Sequence, residues 1–216
     1  MENNHYFQKV TEKFRTLNYM KEDHASYIRG LILKNKLESL LELGFYHGKS
    51  SAYLAAILED RGGPGHLVTI DNKNALKMEP SICGVLESLN LAHRVTPIFA
   101  ERSYTWELSK FMSEKKYTFD FCYLDGGHTW DVTGFGFVLV DLLLKPGGYI
   151  IFDDLDWTIH NHLNNHPDNN KNWTNYSEDE KNSKGVRMVF ENIVKKYNYD
   201  IEEVEKFKWG VARKRE

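Results

Sequence analysis

The sequence predicts an α/β fold in which a mostly parallel sheet lies between two layers of helices. Five short apolar segments that are typical of buried strands alternate with segments whose apolar residues recur at helical spacing. Such alternation favours parallel strands, because each helical crossover returns the chain to the same edge of the sheet. The chain has 216 residues, 41% of them hydrophobic, so we expect residues 1–216 to form one domain.

The predicted elements follow one another with little connecting sequence until the last third of the chain. Residues 5–36 have the apolar spacing of one or two amphipathic helices. The strands are expected at 37–43, 66–70, 94–99, 119–124 and 149–152, followed by two last strands at 201–204 and 209–213. The helices are expected at 50–59, 80–91, 105–114, 132–144 and 186–197.

Composition excludes several classes of protein. The net charge of −3 gives no overall basic field, so we expect no nucleic-acid partner. No apolar run reaches the roughly 18 residues that span a bilayer, which argues against a membrane segment. The two cysteines, Cys83 and Cys122, do not form a disulfide framework, and we expect a cytoplasmic protein.

The first strand ends in a glycine turn that runs from Gly44 to Gly48 and leads into a helix near Ser50. Glycine allows a tight turn and the close approach of a ligand, and the helix N-terminus offers free N–H groups to an anion. The spacing differs from the G-x-G-x-x-G dinucleotide fingerprint. Gly48-Lys49-Ser50 matches the end of a phosphate-binding P-loop, but the preceding loop is one residue too short. The turn alone is compatible with a ligand or with a simple connection.

Acidic residues follow the other predicted strands at their carboxyl ends. Asp71 comes after the second strand, Asp125 after the fourth, and Asp153 and Asp154 after the fifth. Ligands of open parallel sheets bind outside these strand ends, so we expect the acids and the glycine turn to converge on one crevice. Asp71, one strand after the glycine turn, is placed to accept hydrogen bonds from ribose hydroxyls, as in nucleotide-binding folds.

Several of these segments together resemble a known family. Residues 40–51 (LLELGFYHGKSS), 66–71 (HLVTID), 120–154 and 209–214 (WGVARK) look like the class I SAM-dependent methyltransferases. The D-G-G-H after the fourth strand and the later K-P-G-G and D-D resemble the small-molecule O-methyltransferases, including the macrocin and sugar types and, more distantly, the catechol type. The resemblance implies a Rossmann-like, three-layer fold with a mostly parallel seven-stranded sheet, and S-adenosyl-L-methionine (SAM) as methyl donor.

The resemblance also implies roles for the residues that follow the strands. Those expected to bind the methionine part of SAM are Glu42 and the turn with its following helix: Gly44, Phe45, Tyr46, Gly48 and Ser50. Asp71 would hold the ribose hydroxyls. Glu101 and Ser103 follow the third strand where the family often has Gly-Asp-Ser near the adenine, although the glycine is absent here.

The acids after the fourth and fifth strands predict a metal site. Three carboxylates in a small volume repel one another and favour binding a cation, and oxygen ligands suit Mg²⁺. The resemblance implies a divalent metal at Asp125, Asp153 and Asp154 that binds two acceptor oxygens. The alternative is that Asp125 only contacts SAM while the other two begin a solvated loop.

His128 is the candidate general base on the acceptor hydroxyl, alone or with Asp125, or it only shapes the turn. The polar insert at 155–185 holds Trp157, Trp173 and Tyr176, which favours a lid over the acceptor; its histidines are expected to be exposed or to contact substrate. The expected acceptor is a diol, sugar or catechol-like molecule, and a homodimer is possible through the N-terminal helices. A metal-independent methyltransferase and a nucleotide-binding module without transferase activity remain open.

Overall fold

The computed structural model describes residues 4–114, 118–166 and 173–216 and contains one seven-stranded sheet. The strands are β1 (Ser39–Leu43), β2 (His66–Asn72), β3 (Val95–Ala100), β4 (Phe119–Leu124), β5 (Leu144–Phe152), β6 (Tyr199–Val204) and β7 (Trp209–Lys214). Their order across the sheet is β3-β2-β1-β4-β5-β7-β6. The first five strands run parallel, and β7 is antiparallel to both β5 and β6. The predicted fold class is confirmed.

The helices cover the two faces of this sheet. They are α1 (His5–Lys13), α2 (Glu22–Asn35), α3 (Lys49–Arg61), α4 (Ile82–Glu87), α5 (Tyr104–Glu114), α6 (Trp130–Leu143), α7 (Ile159–Asn165), α8 (Glu178–Asn182) and α9 (Gly185–Asn192). Alternate residues of β1 enter different hydrophobic clusters: Leu40 packs with α1, α2 and α3, whereas Leu41 packs with α5, α6 and α9. This period-two distribution gives the sheet a core on each face.

The strand order reverses between β1 and β4, which lie side by side while their crossovers leave in opposite directions along the sheet. In open α/β sheets a crevice forms at such a point, beyond the carboxyl ends of the strands. The glycine turn after β1 and Asp125 after β4 therefore lie next to each other. A backbone hydrogen bond from Asp125 N to Leu43 O, at 2.9 Å, joins these two ends, and one from Gly44 N to Ile70 O, at 2.8 Å, joins the turn to β2.

The structure departs from several of the predicted element bounds. The fifth strand begins at Leu144 rather than at residue 149, because Leu144 already pairs with Phe119 across a register shift. The helix expected at 80–91 covers only Ile82–Glu87, and Asn90 just beyond it has a φ of +58°. The polar insert contains α7 and α8, which its weak periodicity did not predict.

The N-terminal helices are fastened to α3. Asp60 near the end of α3 accepts hydrogen bonds from the backbone N–H groups of Tyr6 (2.8 Å) and Phe7 (2.9 Å) at the start of α1. These bonds satisfy two of the free N–H groups of the first turn of α1. Within the described ranges, no helix combines the length and the apolar character that crossing a membrane requires.

Candidate active site

The turn after β1 has a backbone that only glycine adopts without strain at its first position. Gly44 has a φ of +92°, and a Cβ there would lie 2.5 Å from the backbone oxygen of Asp125. Gly48, at φ +84°, precedes α3, and a Cβ there would lie 2.6 Å from Ile82. The absent side chains allow the turn to lie against the end of β4 and allow Ile82 to pack against the start of α3.

Replacing Gly44 with alanine is expected to destabilise the protein, because the added Cβ meets backbone atoms and the φ is unfavourable for an L-residue. We expect a loss of at least about 1–3 kcal/mol in the free energy of unfolding. Gly30 in α2 is the matched control, since an added Cβ there meets nothing within 4 Å, and Gly30→Ala should be neutral or stabilising. Urea unfolding measures both; equal stability of the two variants would contradict the expectation.

Asp71 lies at the end of β2 and braces the glycine turn. Its Oδ2 accepts hydrogen bonds from the backbone N–H groups of Phe45 (2.9 Å) and Tyr46 (2.7 Å), and its Oδ1 accepts one from Asn72 N at 2.7 Å. A carboxylate offers about four lone-pair sites, so part of its accepting capacity remains for a ligand. Tyr46 has a φ of +47°, and these bonds hold that conformation in place.

Glu42 lies on β1 beneath the turn and is fully buried. Its Oε2 accepts hydrogen bonds from the hydroxyls of Ser51 and Thr69, whereas its Oε1 has no hydrogen-bond partner among the residues that the structure describes. Burial raises the pKa of this carboxyl to about 7, against lowering contributions from the neighbouring hydroxyls. Glu42 lines neither of the two cavities described below; it lies on β1, beneath the glycine turn. Its predicted contact with the methionine part of SAM stays a prediction.

The raised pKa of Glu42 makes stability depend on pH. Between its ordinary pKa and about 7 the folded protein holds a proton that the unfolded chain releases, so stability falls as pH rises through that range. Glu42→Gln removes this contribution. Between pH 4 and pH 8 the free energy of unfolding of the wild type should therefore fall by about 3 kcal/mol more than that of Glu42→Gln. Urea unfolding at both pH values tests this; parallel pH profiles of the two proteins would contradict it.

The three aspartates after β4 and β5 differ in their surroundings. Asp153 is engaged inside the protein: Tyr123 donates its hydroxyl to Oδ2, and Trp209 Nε1 (2.6 Å) and Asp154 N (2.7 Å) donate to Oδ1. Burial raises the pKa of Asp153, and the neighbouring charge of Asp154 adds to the rise. The pKa of Asp125 is raised by burial and then by the charges of Asp153 and Asp154. Three acids thus share one region that favours a proton or a cation.

His128 lies between two of these acids. Its Nε2 is 3.6 Å from Asp125 Oδ1 and 3.4 Å from Asp154 Oδ2, and it has no hydrogen-bond partner among the described residues. The imidazole stacks on the indole of Trp157 with ring centroids 5.1 Å apart. Side-chain donor atoms of Asp125, His128 and Asp154 all lie within 4.8 Å of one another. The side chains that converge are therefore those of Asp125, His128 and Asp154, and the Asp153 carboxylate next to them accepts its hydrogen bonds inside the protein.

Two cavities open at the carboxyl edge of the sheet. The first, here called the aromatic cavity, has a volume of about 630 Å³; the insert provides one wall, with Trp157, His162, His166 and Trp173, and the N-terminal segment another, with Tyr19. The second, here called the helical cavity, has a volume of about 930 Å³ and lies between α5 and α6. Both volumes are within the range of small-molecule sites. The two cavities share four lining residues: Gly44, Asp71, Gly126 and Gly127.

The predicted site residues divide between these cavities. The aromatic cavity is lined by the turn and the acid–histidine group: Gly44, Phe45, Tyr46, Ser50, Asp71, Asp125, His128 and Asp154. The helical cavity is lined by the two residues expected near the adenine, Glu101 and Ser103. Gly48 lines neither cavity; it ends the glycine turn and precedes α3. His160 also lies outside both, whereas His162 and His166 face the aromatic cavity.

Some lining residues have no signal in the sequence. Trp106 on α5 and Phe135 on α6 line the helical cavity, although each occurs within an apolar helical pattern that predicts only packing. Tyr19 lines the aromatic cavity and lies edge-on to Tyr46, with ring centroids 5.2 Å apart. Its φ of +67° places it in the connection between α1 and α2, within the segment for which one or two helices were predicted.

Comparison with known proteins identifies the family to which the chain belongs. Residues 41–155 match the family model described as a methyltransferase domain, which is more than half of the chain. No curated protein matches the sequence significantly.

Solved structures share the fold at low identity. The O-methyltransferase TomG from Streptomyces achromogenes, involved in tomaymycin synthesis and solved in complex with SAM, is 18% identical, with a TM-score of 0.67 over 98% of this chain and 90% of that one. A putative caffeoyl-CoA O-methyltransferase from Staphylococcus aureus is 19% identical (TM-score 0.69, 95% and 91%). An O-methyltransferase from Bacillus cereus in complex with SAH is 18% identical (TM-score 0.66, 97% and 90%).

The family match covers the glycine turn, Asp71 and the acid–histidine group, and ends just beyond Asp154. The structural likeness extends over nearly the whole chain and shows that the seven-stranded architecture is that of O-methyltransferases. The chain therefore belongs to the methyltransferase-domain family and has its Rossmann-like fold.

Proposed function

We propose that this protein transfers a methyl group from SAM to a hydroxyl group of a small molecule. The observation that carries the proposal is the meeting of two cavities at Gly44, Asp71, Gly126 and Gly127. The helical cavity suits an adenosine, with Asp71 at its entrance for the ribose hydroxyls and Glu101 and Ser103 along its wall. The methionine half then crosses the glycine turn toward the aromatic cavity, where the acceptor binds.

The residues of the aromatic cavity provide what methyl transfer to oxygen requires. Bound SAM supplies a methyl group on a positively charged sulfur, and the protein has to orient an oxygen nucleophile in line with it. His128, held by Trp157 and close to Asp125 and Asp154, is positioned to take the proton of the acceptor hydroxyl. Tyr19, Trp157 and Trp173 enclose the acceptor and reduce contact with water.

The same group of residues suits a divalent cation. The separations of 3.4 and 3.6 Å between His128 Nε2 and the two carboxylate oxygens are longer than hydrogen bonds. Carboxylate oxygens are the ligands that Mg²⁺ prefers, and one donor atom from each of Asp125, His128 and Asp154 lies within 4.8 Å of the other two. Asp125 and Asp154 would hold the ion, with His128 beside it and Asp153 adjoining; bound there, Mg²⁺ or a similar cation would lower the pKa of an acceptor hydroxyl.

Calorimetry and a transfer assay test the proposal together. The wild-type protein should bind S-adenosylhomocysteine (SAH) and not ATP, and it should transfer a labelled methyl group from SAM to a catechol or sugar diol. Tight binding of ATP without binding of SAH would contradict the proposal. Turnover that is unchanged by EDTA would remove the metal while leaving the methyl transfer in place.

A further inference from the structure

Lys49 is a buried cation that the proposed mechanism does not use. It is the first residue of α3, and only 7% of its surface is exposed. Its Nζ donates a hydrogen bond to the backbone oxygen of Leu17 at 2.6 Å. Burial lowers the pKa of this ammonium, and no charged group among the described residues contributes to the shift. Lys49 thus has one of its three donors engaged and no carboxylate partner in the described part of the chain.

An ammonium in this position needs an anion. Removing a charge from water is costly unless an opposite charge or a full set of hydrogen bonds compensates, and one carbonyl supplies only part of this. The N-terminus of a helix is also an unfavourable place for a cation, because the helix dipole has its positive end there. The ammonium of Lys49 and the positive end of the α3 dipole therefore lie close together, and a bound carboxylate would stabilise both.

The space in question belongs to the aromatic cavity. Lys49 lines it together with Ser50, the next residue of α3, and with Gly44 and Phe45 of the glycine turn. Lys49 and Ser50 are the first two residues of α3, so the first turn of this helix, with its free N–H groups, borders the cavity. An ammonium, a hydroxyl and helix N–H groups together form a binding site for one carboxylate.

We propose that Lys49 binds the carboxylate of the methionine half of SAM. The inference rests on the proposed function, because it takes its anion from SAM lying across the glycine turn. The same ammonium holds Leu17, which directly precedes the Asn18–Met20 wall of the aromatic cavity. Lys49 therefore links the donor carboxylate to the segment that encloses the acceptor.

The alternative is a purely structural lysine that only fastens residue 17. The two roles differ in which ligand they affect. SAH carries the carboxylate, whereas 5′-methylthioadenosine has the same adenosine and sulfur without the amino-acid chain. A carboxylate contact affects SAH alone, whereas loss of the Leu17 bond distorts the cavity for both ligands.

The experiment measures the dissociation constants of SAH and 5′-methylthioadenosine by calorimetry for the wild type, Lys49→Met, Lys49→Gln and Lys49→Arg. Lys49→Gln, which keeps a donor for Leu17, should weaken SAH binding by at least about 30-fold, as expected for removing one partner of a buried charge pair, and leave 5′-methylthioadenosine within about twofold. Lys49→Met, which loses the Leu17 bond as well, should weaken SAH binding at least as much, and Lys49→Arg should recover most of the affinity.

Lys13→Met is the matched control, because Lys13 also donates to a backbone carbonyl, that of Ser88 at 2.9 Å, but lies outside the aromatic cavity. It should bind both ligands as the wild type does. Equal weakening of the two ligands by Lys49→Gln, or unchanged SAH affinity, overturns the inference while the proposed function stands. Failure of the wild type to bind SAH overturns the proposed function itself.

Discussion

Replacing His128 with alanine is expected to lower kcat by about 10²–10⁴-fold, the usual contribution of a general base. The affinity for SAH should change little, because the contacts of His128 are with Trp157, Asp125 and Asp154 and not with the glycine turn or the helical cavity. The loss arises because no group remains to take the proton of the substrate hydroxyl. In the wild type, His128 is in place for this, stacked on Trp157 and close to Asp125 and Asp154. Single-turnover kinetics with saturating SAM measures the effect on the transfer step.

His160→Ala is the control for this variant. His160 is exposed on α7, close in sequence to the cavity wall, but it lines neither cavity. Its replacement should leave kcat within about twofold. If His128→Ala retains wild-type turnover, His128 does not accept the proton and only shapes the turn after β4.

Asp71→Ala is expected to weaken SAH binding by about 100-fold or more. Two losses contribute: the ribose hydroxyls lose a charged acceptor, and the N–H groups of Phe45 and Tyr46 lose the oxygen that holds the glycine turn. Hydrogen bonds to a charged group contribute about 1.5–3 kcal/mol each, so losing even two of them accounts for this factor. Calorimetric titration with SAH measures the change.

Asp200→Ala is the matched control, since Asp200 also carries a hydrogen-bonded carboxylate, paired with Arg215, on the far edge of the sheet. It should bind SAH normally. Asp71→Asn separates the two contributions of Asp71, because an amide oxygen keeps an acceptor for the turn without the charge. An Asp71→Ala variant that binds SAH as tightly as the wild type would contradict the assignment of the ribose to this residue.

The sequence predicted the sheet and the location of the site because both depend on local rules. A parallel strand that is buried on both faces reads as an apolar run, and the residue after it falls at the carboxyl edge. Gly44, Asp71, Asp125 and Asp154 were therefore brought together by one argument, and all four line the aromatic cavity.

The remaining features depend on contacts between segments that are distant in the chain. Trp209 on the last strand donates to Asp153, 56 residues earlier, so the adjacent Asp153 and Asp154 differ in surroundings that their spacing could not distinguish. In the sequence, Lys49 was only part of an incomplete phosphate-binding loop. The structure shows that its ammonium donates a hydrogen bond to Leu17, 32 residues before it. The insert contains α7 and α8, and its weak periodicity did not show that His162 on α7 and His166 just after this helix line the aromatic cavity.

The central claim is that the two cavities meeting at Gly44 and Asp71 are the donor and acceptor halves of one active site. A crystal structure of the protein with SAH and Mg²⁺ tests it most directly. The predicted result is an adenosine in the helical cavity with its ribose at Asp71, and a sulfur at the shared boundary that faces His128. An SAH molecule whose sulfur is turned away from the aromatic cavity, or that binds elsewhere on the protein, would contradict the claim.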